Sequence, residues 1–202
     1  MGRTKQYNRT ELLDTAVELF RNRGFNGTST TELVTELGIN RKSMYAEFGS
    51  KQELFEAALA HYDRNHLTRV LAPIEAQDAG VEAIRQAFSD YASASEGWFN
   101  GRGCLLCNTA VERGALDAAS EKHVAAYLAR LTRAFRRALE NARQAGDIDE
   151  SIDTDQYAAF FTTALIGVAA CIRAKAPPEQ VRAASEVATS VLDLNNPATL
   201  RR

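Results

Sequence analysis

The segment from residues 29 to 55 constrains the fold most, because it holds two short helix patterns separated by a glycine. Ser29 can cap a helix that begins at Thr30, and Glu32 is spaced to reach back and complete a capping box. Gly38 follows this helix at a point where a sharp turn needs a left-handed backbone, which glycine adopts without strain. Two short helices joined in this way predict a helix-turn-helix.

The second helix of this unit leaves its polar and basic side chains facing outward. Asn40 can cap it, while Met44 and Phe48, which are four residues apart, fall together on a buried side. The residues expected on the outer face are Arg41, Lys42, Ser43 and Glu47. Basic and polar side chains of this kind contact phosphates and base edges when a recognition helix enters a major groove. The sequence therefore predicts that this helix reads DNA.

The helix that follows begins with a basic residue. Ser50 and Glu53 are spaced as a further capping box, which places Lys51 in the first turn of the next helix. At that position an ammonium group and the free backbone N–H groups of the helix can meet one phosphate together. Lys51 is therefore a candidate contact to the DNA backbone.

A family resemblance rests on these same residues. Residues 24 to 55 read GFNGTSTTELVTELGINRKSMYAEFGSKQELF and follow a helix that ends in AVELFRNRG. Over about residues 8 to 60, the sequence closely resembles the N-terminal domain of the tetracycline-repressor (TetR/AcrR) family of bacterial transcription regulators. The shared features are the small polar run at residues 28 to 31, the Gly-Ile-Asn turn, the aromatic pair Tyr45 and Phe48, and the Ser50-Lys51 helix start.

The resemblance implies roles for individual residues. In the N-terminal DNA-binding domain, the first and third helices would pack across the second, and the third would read the major groove. Tyr45 and Lys51 would contact phosphates. The candidate DNA-binding residues are Thr30, Thr31, Asn40, Arg41, Lys42, Ser43, Tyr45 and Lys51. The sequence departs from the common family pattern at residues 42–43 and 46–47, so preferences for particular bases do not carry over.

Composition and patterning indicate a helical chain of two domains. A chain of 202 residues with 45% apolar content can bury a substantial core, and the alternating apolar and polar residues typical of strands are absent from the sequence. We expect an all-α fold. In it, residues 1–50 form a three-helix helix-turn-helix DNA-binding domain, and residues 51–202 form a larger helical-bundle ligand-binding and dimerisation domain.

The charge and the apolar runs narrow the function further. A formal net charge of −2 argues against a non-specific architectural DNA binder, which would be much more basic. A helix-turn-helix that serves only as a structural element, with Tyr45 in the core and Arg41 and Lys42 as a solvated face, stays open as an alternative. The sequence shows no run of about 18 apolar residues and no secretory signal, so we expect a cytoplasmic protein with no membrane partner.

Periodicity predicts the helices of the second domain. A linking helix is expected over residues 51–71 and ends or kinks at Pro73; further helices are expected over residues 81–96 and 104–113, around 124–142, over 157–176, and after Pro178. One of the last two helices is rich in small residues, namely Ala164, Gly167, Ala169 and Ala170, so the two helices can pack against their copies in a second chain, or serve only an intrachain core. A two-fold dimer would match a palindromic double-stranded DNA operator.

A ligand cavity in an all-helical domain is expected between helices, where aromatic rings and a few polar groups line it. The candidate effector-binding residues are Phe88, Tyr91, Trp98, Phe99, Cys104, Asn108, Tyr127, Phe160, Phe161 and Arg173. Each is also compatible with an ordinary core or surface role. The guanidinium of Arg173 can hold an anionic ligand with two hydrogen bonds, although a solvated charge at a helix C-terminus is its simpler interpretation.

The cysteines raise a second possibility. Cys104 and Cys107 match a C-x-x-C spacing, which suggests either a thiol-based sensor of oxidants and electrophiles or a thiol oxidoreductase. Free cysteines are also commonly buried as small apolar groups. Because the histidines are isolated and the motifs of nucleophilic enzymes are missing, we expect no catalytic residues, no metal and no cofactor. The leading hypothesis is a homodimeric repressor that a small-molecule effector releases from its operator.

Overall fold

A computed structural model describes residues 7–94, 101–112 and 117–194 of the chain, with the side chain of Leu194 outside that description. Within these residues every regular element is a helix, which confirms the all-α prediction. The helices are α1 Arg9–Arg23, α2 Thr30–Glu36, α3 Arg41–Phe48, α4 Lys51–Tyr62, α5 Thr68–Glu75, α6 Val81–Ala94, α7 Leu105–Val111, α8 Ala118–Ala145, α9 Thr154–Arg173 and α10 Pro178–Leu194.

The reading head consists of α1, α2 and α3, and local signals set its boundaries. The predicted capping box at Ser29 is present, with Glu32 bonding back to the backbone N–H of the cap residue. The turn passes through Gly38 at φ +65°, a left-handed backbone that favours glycine. Asn40 caps α3 by accepting from the backbone N–H of Ser43 at 2.8 Å. The helix-turn-helix prediction is therefore confirmed.

The linking helix joins the head to the rest of the chain and differs from its prediction. After α4 the backbone widens into a π-helical turn over Asp63–Leu67, and α5 then continues through Pro73 to Glu75. The helix therefore ends two residues beyond Pro73, close to the predicted position, and a kink at Pro73 stays a prediction. Pro73 lies on the exposed side, while Leu71 and Ile74, on either side of it, are buried and hold this turn against the bundle.

One arginine braces the π-helical turn from outside. Arg130 of α8 donates to Asp63 at 2.8 Å, at the start of that turn, and to both carboxylate oxygens of Glu75 at 2.5 and 2.7 Å. These charge-assisted hydrogen bonds tie the start of the irregular segment and the end of α5 to α8. The link between the two domains is therefore tied to α8, a helix of 28 residues in the second domain.

The second domain is a bundle in which α8 packs on α9 and α6 packs on α10. Gly146 ends α8 in a left-handed conformation, Asp153 caps α9, and Pro178 occupies the first position of α10. The rings of Phe88, Phe135 and Phe161 meet at its centre, with centroids 5.7 to 6.2 Å apart. The second domain is thus organised around one aromatic core.

Helix α9 modifies one expectation from the sequence. Among the described residues it is the helix that is long and apolar enough, by length and composition, to cross a membrane, although no unbroken apolar run marks it. A core helix of a bundle has the same composition. Phe161, Leu165 and Ile172 of α9 are buried against neighbouring helices, which accounts for its apolar character without a membrane.

Candidate DNA-binding surface and effector domain

Helix α3 displays basic and aromatic side chains to solvent, as predicted. Arg41 and Lys42 are exposed, and Tyr45 is 39% exposed although it is a large aromatic residue. The guanidinium of Arg41 lies 5.8 Å from the centroid of the Tyr45 ring, a cation–π arrangement that pre-orders both groups. Met44 and Phe48 are buried on the opposite side, so α3 is anchored by one face and free to contact a partner with the other.

The remaining candidate DNA-binding residues surround α3. Thr31 is exposed and Thr30 half-buried at the start of α2, while Ser43 is half-buried beside the side chain of its cap, Asn40. Their contacts to DNA stay predictions. The oxygen of the Asn40 side chain is already occupied by the cap, so only its exposed amide nitrogen is available to an outside acceptor.

Lys51 lies at the start of α4, next to the head. Its ammonium nitrogen is 4.1 Å from the centroid of the Phe25 ring, and the side chain is half-buried. Burial lowers the pKa of Lys51, while the nearby carboxylates of Glu112 and Glu32 act in the opposite direction. The ammonium therefore lies against the Phe25 ring, in the electrostatic field of two carboxylates.

Glu47 is placed differently from its prediction. Its side chain is only 5% exposed, because Arg9 forms an ion pair with it at 3.2 Å and the hydroxyl of Tyr7 donates to it at 3.3 Å. These partners lie about 40 positions away in sequence, so helix periodicity could not reveal them. The outer face of α3 is consequently narrower than predicted, and Glu47 serves to join α3 to α1.

The candidate effector residues do not form one group. Phe88, Tyr91, Cys104, Asn108, Tyr127 and Phe161 are buried inside the bundle, whereas Trp98 and Phe99 lie outside the described residues. Phe160 is 44% exposed on the outer face of α9, because the turn of the helix places it beside rather than among the buried residues of α9. Arg173 is half-buried and donates to the backbone oxygen of Gly101 at 3.4 Å, so it is not a fully solvated charge, and its contact with an anionic ligand stays a prediction.

The buried polar residues form a cluster of thiols and phenols. The hydroxyl of Tyr127 lies 3.9 Å from the sulfur of Cys104 and 3.5 Å from that of Cys107. Burial acts to raise the pKa of the Cys104 thiol, but hydrogen bonds from Cys107 and from Tyr62 outweigh it and lower the pKa to about 6. The hydrogen bond with Cys104, together with burial, raises the pKa of Cys107 well above its ordinary value.

This cluster does not favour a thiol sensor that reacts directly with oxidants from solvent. Cys104 and Cys107 are both enclosed by α7, α8 and the linking helix, and neither sulfur stands at a surface. A low pKa makes a thiol reactive only when a reagent can reach it. The two cysteines therefore act in this structure as members of a satisfied polar core.

A buried arginine that the sequence did not single out connects the two domains. Arg21 of α1 has no exposed surface, and its guanidinium donates twice to the backbone oxygen of Gly103, at 3.2 and 3.0 Å. It also pairs with Glu18 at 2.9 Å and lies 5.7 Å from the ring centroid of Tyr62. An arginine inside a polar helix gives no sequence signal for such a role, because its partner stands 82 positions away.

This architecture, a helix-turn-helix head with a basic outer face carried on a larger helical bundle, defines the class of DNA-binding transcription regulators. Comparison with known proteins identifies the family. Residues 12–58 match the model of the bacterial regulatory proteins of the tetR family, and residues 80–188 match that of the tetracyclin repressor-like C-terminal domain. The chain belongs to the TetR family of transcriptional regulators.

Relatives and solved structures of this family match the chain over most of its length. The uncharacterized HTH-type transcriptional regulator YezE of Bacillus subtilis is 28% identical over 96% of this chain and all of its own length. The HTH-type transcriptional repressor ComR of Escherichia coli is 26% identical, over 89% of this chain and 86% of its own. A cysteine mutant of the TetR family regulator CifR, solved with 26-base-pair double-stranded operator DNA, superposes with a TM-score of 0.82 at 27% identity, covering 93% of this chain and 98% of its own.

Proposed function

We propose that this DNA-binding regulator is a cytoplasmic, homodimeric repressor that binds a palindromic operator and is released from it by a small molecule. The observation that carries the proposal is the exposed face of α3, where Arg41, Lys42 and Tyr45 project from a helix that is anchored on its other side. The operator complex of CifR and the naming of ComR as a repressor support it.

A dimer is supported by the outer faces of the last two helices. Phe160 of α9 and Val187 of α10 are apolar side chains that are 44% and 69% exposed. Small residues share these faces: Gly167, Ala170, Ala183 and Ala184 are all exposed. Small residues let helices of two chains approach closely, and α9 and α10 of each chain would then form a four-helix interface around a two-fold axis.

The effector is proposed to act inside the helical domain and to change the spacing of the two heads. The linking helix and its π-helical turn carry the head, so a change in how α8 packs against them would shift α3 relative to its two-fold mate. Coupling of this kind typically amounts to about 1–3 kcal/mol between the two sites. A thiol oxidoreductase is not supported, because the relatives are regulators rather than enzymes.

Selection of duplexes from a random pool by the purified protein tests the proposal. Enrichment of a palindrome with two half-sites about one helical turn apart is the expected result. Sedimentation of the protein and of a Val187→Glu variant tests the dimer in parallel. We expect two chains per particle for the natural sequence and one for the variant, with Glu179→Ala on the same helix as the control. No sequence enrichment, or a monomeric natural protein, would contradict the proposal.

A further inference from the structure

A single carboxylate of the effector domain holds the turn that leads into the helix-turn-helix. Glu112 directly follows α7, and its two oxygens accept hydrogen bonds from consecutive backbone N–H groups, Phe25 at 2.9 Å and Asn26 at 2.7 Å. Both amides lie in the turn between α1 and α2. Hydrogen bonds from backbone N–H groups to an ionised carboxylate are stronger than neutral ones, so this contact fixes where α2 begins.

The turn is shaped to admit this carboxylate. Gly24 adopts φ +75°, a conformation that favours glycine, and a Cβ atom added there would come within 2.5 Å of a carboxylate oxygen of Glu112. Any larger residue at position 24 would displace the carboxylate and strain the backbone. The close approach is therefore a feature of the turn itself and not an incidental meeting of a surface side chain with a loop.

The helix that carries Glu112 is attached to α1 at its other end as well. Gly103, two residues before α7, accepts both hydrogen bonds from the buried guanidinium of Arg21. Between these two attachments, α7 buries Leu105, Leu106 and Cys107 in the effector domain. A movement of α7 inside the bundle must therefore displace α1, the turn after it, or both.

Glu112 also acts on a candidate phosphate contact. Burial lowers the pKa of Lys51, and the negative charge of Glu112 acts against that lowering. The Lys51 ammonium lies over the ring of Phe25, whose backbone N–H group Glu112 holds. The carboxylate that holds the turn before α2 thus also attracts the cation at the start of α4. These two places flank the pair of helices α2 and α3.

We propose that Glu112 is a positioning residue for operator recognition, and that α7 transmits the state of the effector domain to the reading head through it. This inference rests on the proposed operator binding. Loss of the carboxylate releases the turn, so α2 and Lys51 no longer hold α3 in register with the bases. Non-specific attraction to phosphates depends on charge alone and does not need that register.

The test uses the full chain and two duplexes, one selected from a random pool by the natural protein and one of the same composition in scrambled order. We expect Glu112→Ala to weaken binding of the selected duplex about tenfold, because two charge-assisted hydrogen bonds are lost. Binding of the scrambled duplex should change by less than about twofold. Glu112→Gln, which keeps one carbonyl oxygen as acceptor, should fall between. Glu121→Ala, at an exposed glutamate in the first turn of α8, is the matched control and should behave as the natural protein does.

Equal weakening of both duplexes by Glu112→Ala, or an affinity for the selected duplex equal to that of the Glu121→Ala control, would overturn the inference. Tighter binding of both duplexes by Glu112→Ala and Glu112→Gln would also overturn it, because the carboxylate would then act only as a repelling charge. Amide exchange without DNA keeps the test separate from operator binding. The amides of Phe25 and Asn26 should exchange faster in Glu112→Ala and Glu112→Gln, and unchanged exchange would reject the positioning role even if no duplex is selected.

Discussion

The reading head and the effector domain place their polar side chains in opposite environments. On α3, Arg41, Lys42 and Tyr45 face solvent and need no partner within the chain to be stable there. In the effector domain, Cys104 and Tyr127 are buried, and neighbouring groups satisfy their polar atoms. The exposed side chains of α3 can contact a large charged partner without any rearrangement of the protein. In the bundle, by contrast, a substitution of a buried polar residue leaves its partner unsatisfied and so lowers the free energy of unfolding.

DNA affinity should therefore report on the outer face of the head, and the free energy of unfolding on the buried groups. Substitutions on the outer face of the head should alter binding to DNA while the free energy of unfolding stays nearly constant. Substitutions among the buried groups that join the two regions should mainly lower the free energy of unfolding. Arg21 lies at the junction of the two regions, so a substitution there tests whether effects on DNA affinity and on stability can be separated.

The largest expected effect comes from the aromatic core shared by the head and the linking helix. Phe55 is buried, with its ring centroid 4.8 Å from that of Phe20 and 5.0 Å from that of Phe25. Phe55→Ala should lower the free energy of unfolding by about 3–5 kcal/mol, since it leaves a cavity. Denaturant unfolding measures this. Tyr45→Ala, at an exposed ring of the head, is the control, and a loss of similar size in both variants would break the division between regions.

A smaller loss is expected at the junction. Arg21→Leu removes both hydrogen bonds to the buried backbone oxygen of Gly103, so the free energy of unfolding should fall by about 1–3 kcal/mol. Arg23→Leu, two positions away, removes only a surface ion pair with Glu32 and should change it by less than about 1 kcal/mol. Thermal unfolding of the two variants compares them directly. An Arg21→Leu protein as stable as Arg23→Leu would mean that the buried guanidinium does not join the domains.

A substitution on the head should weaken DNA binding with little effect on the free energy of unfolding. Lys51→Gln is expected to reduce the slope of the logarithm of DNA affinity against the logarithm of salt concentration by about 0.9, because one phosphate contact is lost. The free energy of unfolding should change by less than about 1 kcal/mol, because the cation also loses its contact with the ring of Phe25. Titrations at several salt concentrations measure the slope, with Lys122→Gln on α8 as the control. A slope equal to that of the control would remove Lys51 from the set of phosphate contacts.

The smallest effect concerns acid. A backbone hydrogen bond from Ser29, then its side chain and Arg23, lower the pKa of Glu32 below its ordinary value of 4.5. A carboxyl group whose folded pKa is depressed stabilises the fold fully above its unfolded pKa, and the contribution disappears as the pH falls through the folded pKa. The stability difference between the natural protein and Glu32→Gln should therefore shrink as the pH falls below 4.5. A difference that stays constant with pH would show that the capping box of α2 does not depend on charge.

The sequence predicted the parts of the molecule that local chemistry decides. The cap at Ser29, the turn at Gly38 and the cap at Asn40 are all present, because each depends on residues within one or two turns. The burial of Glu47, the role of Arg21 and the hold of Glu112 on the turn were missed. Their partners stand 40 to 87 positions away, and only the assembled fold brings them together. The DNA contacts of the head and the domain boundary at residue 50 stay predictions.

The central claim is that the exposed face of α3 reads base sequence. The ratio of affinities for the selected duplex and for its scrambled counterpart measures that reading directly. The natural protein should favour the selected duplex by a factor of about 10³ or more. An Arg41→Ala/Lys42→Ala variant should lose most of this preference with its fold intact. A double variant that keeps the natural ratio would contradict the account, because sequence would then be read from another surface.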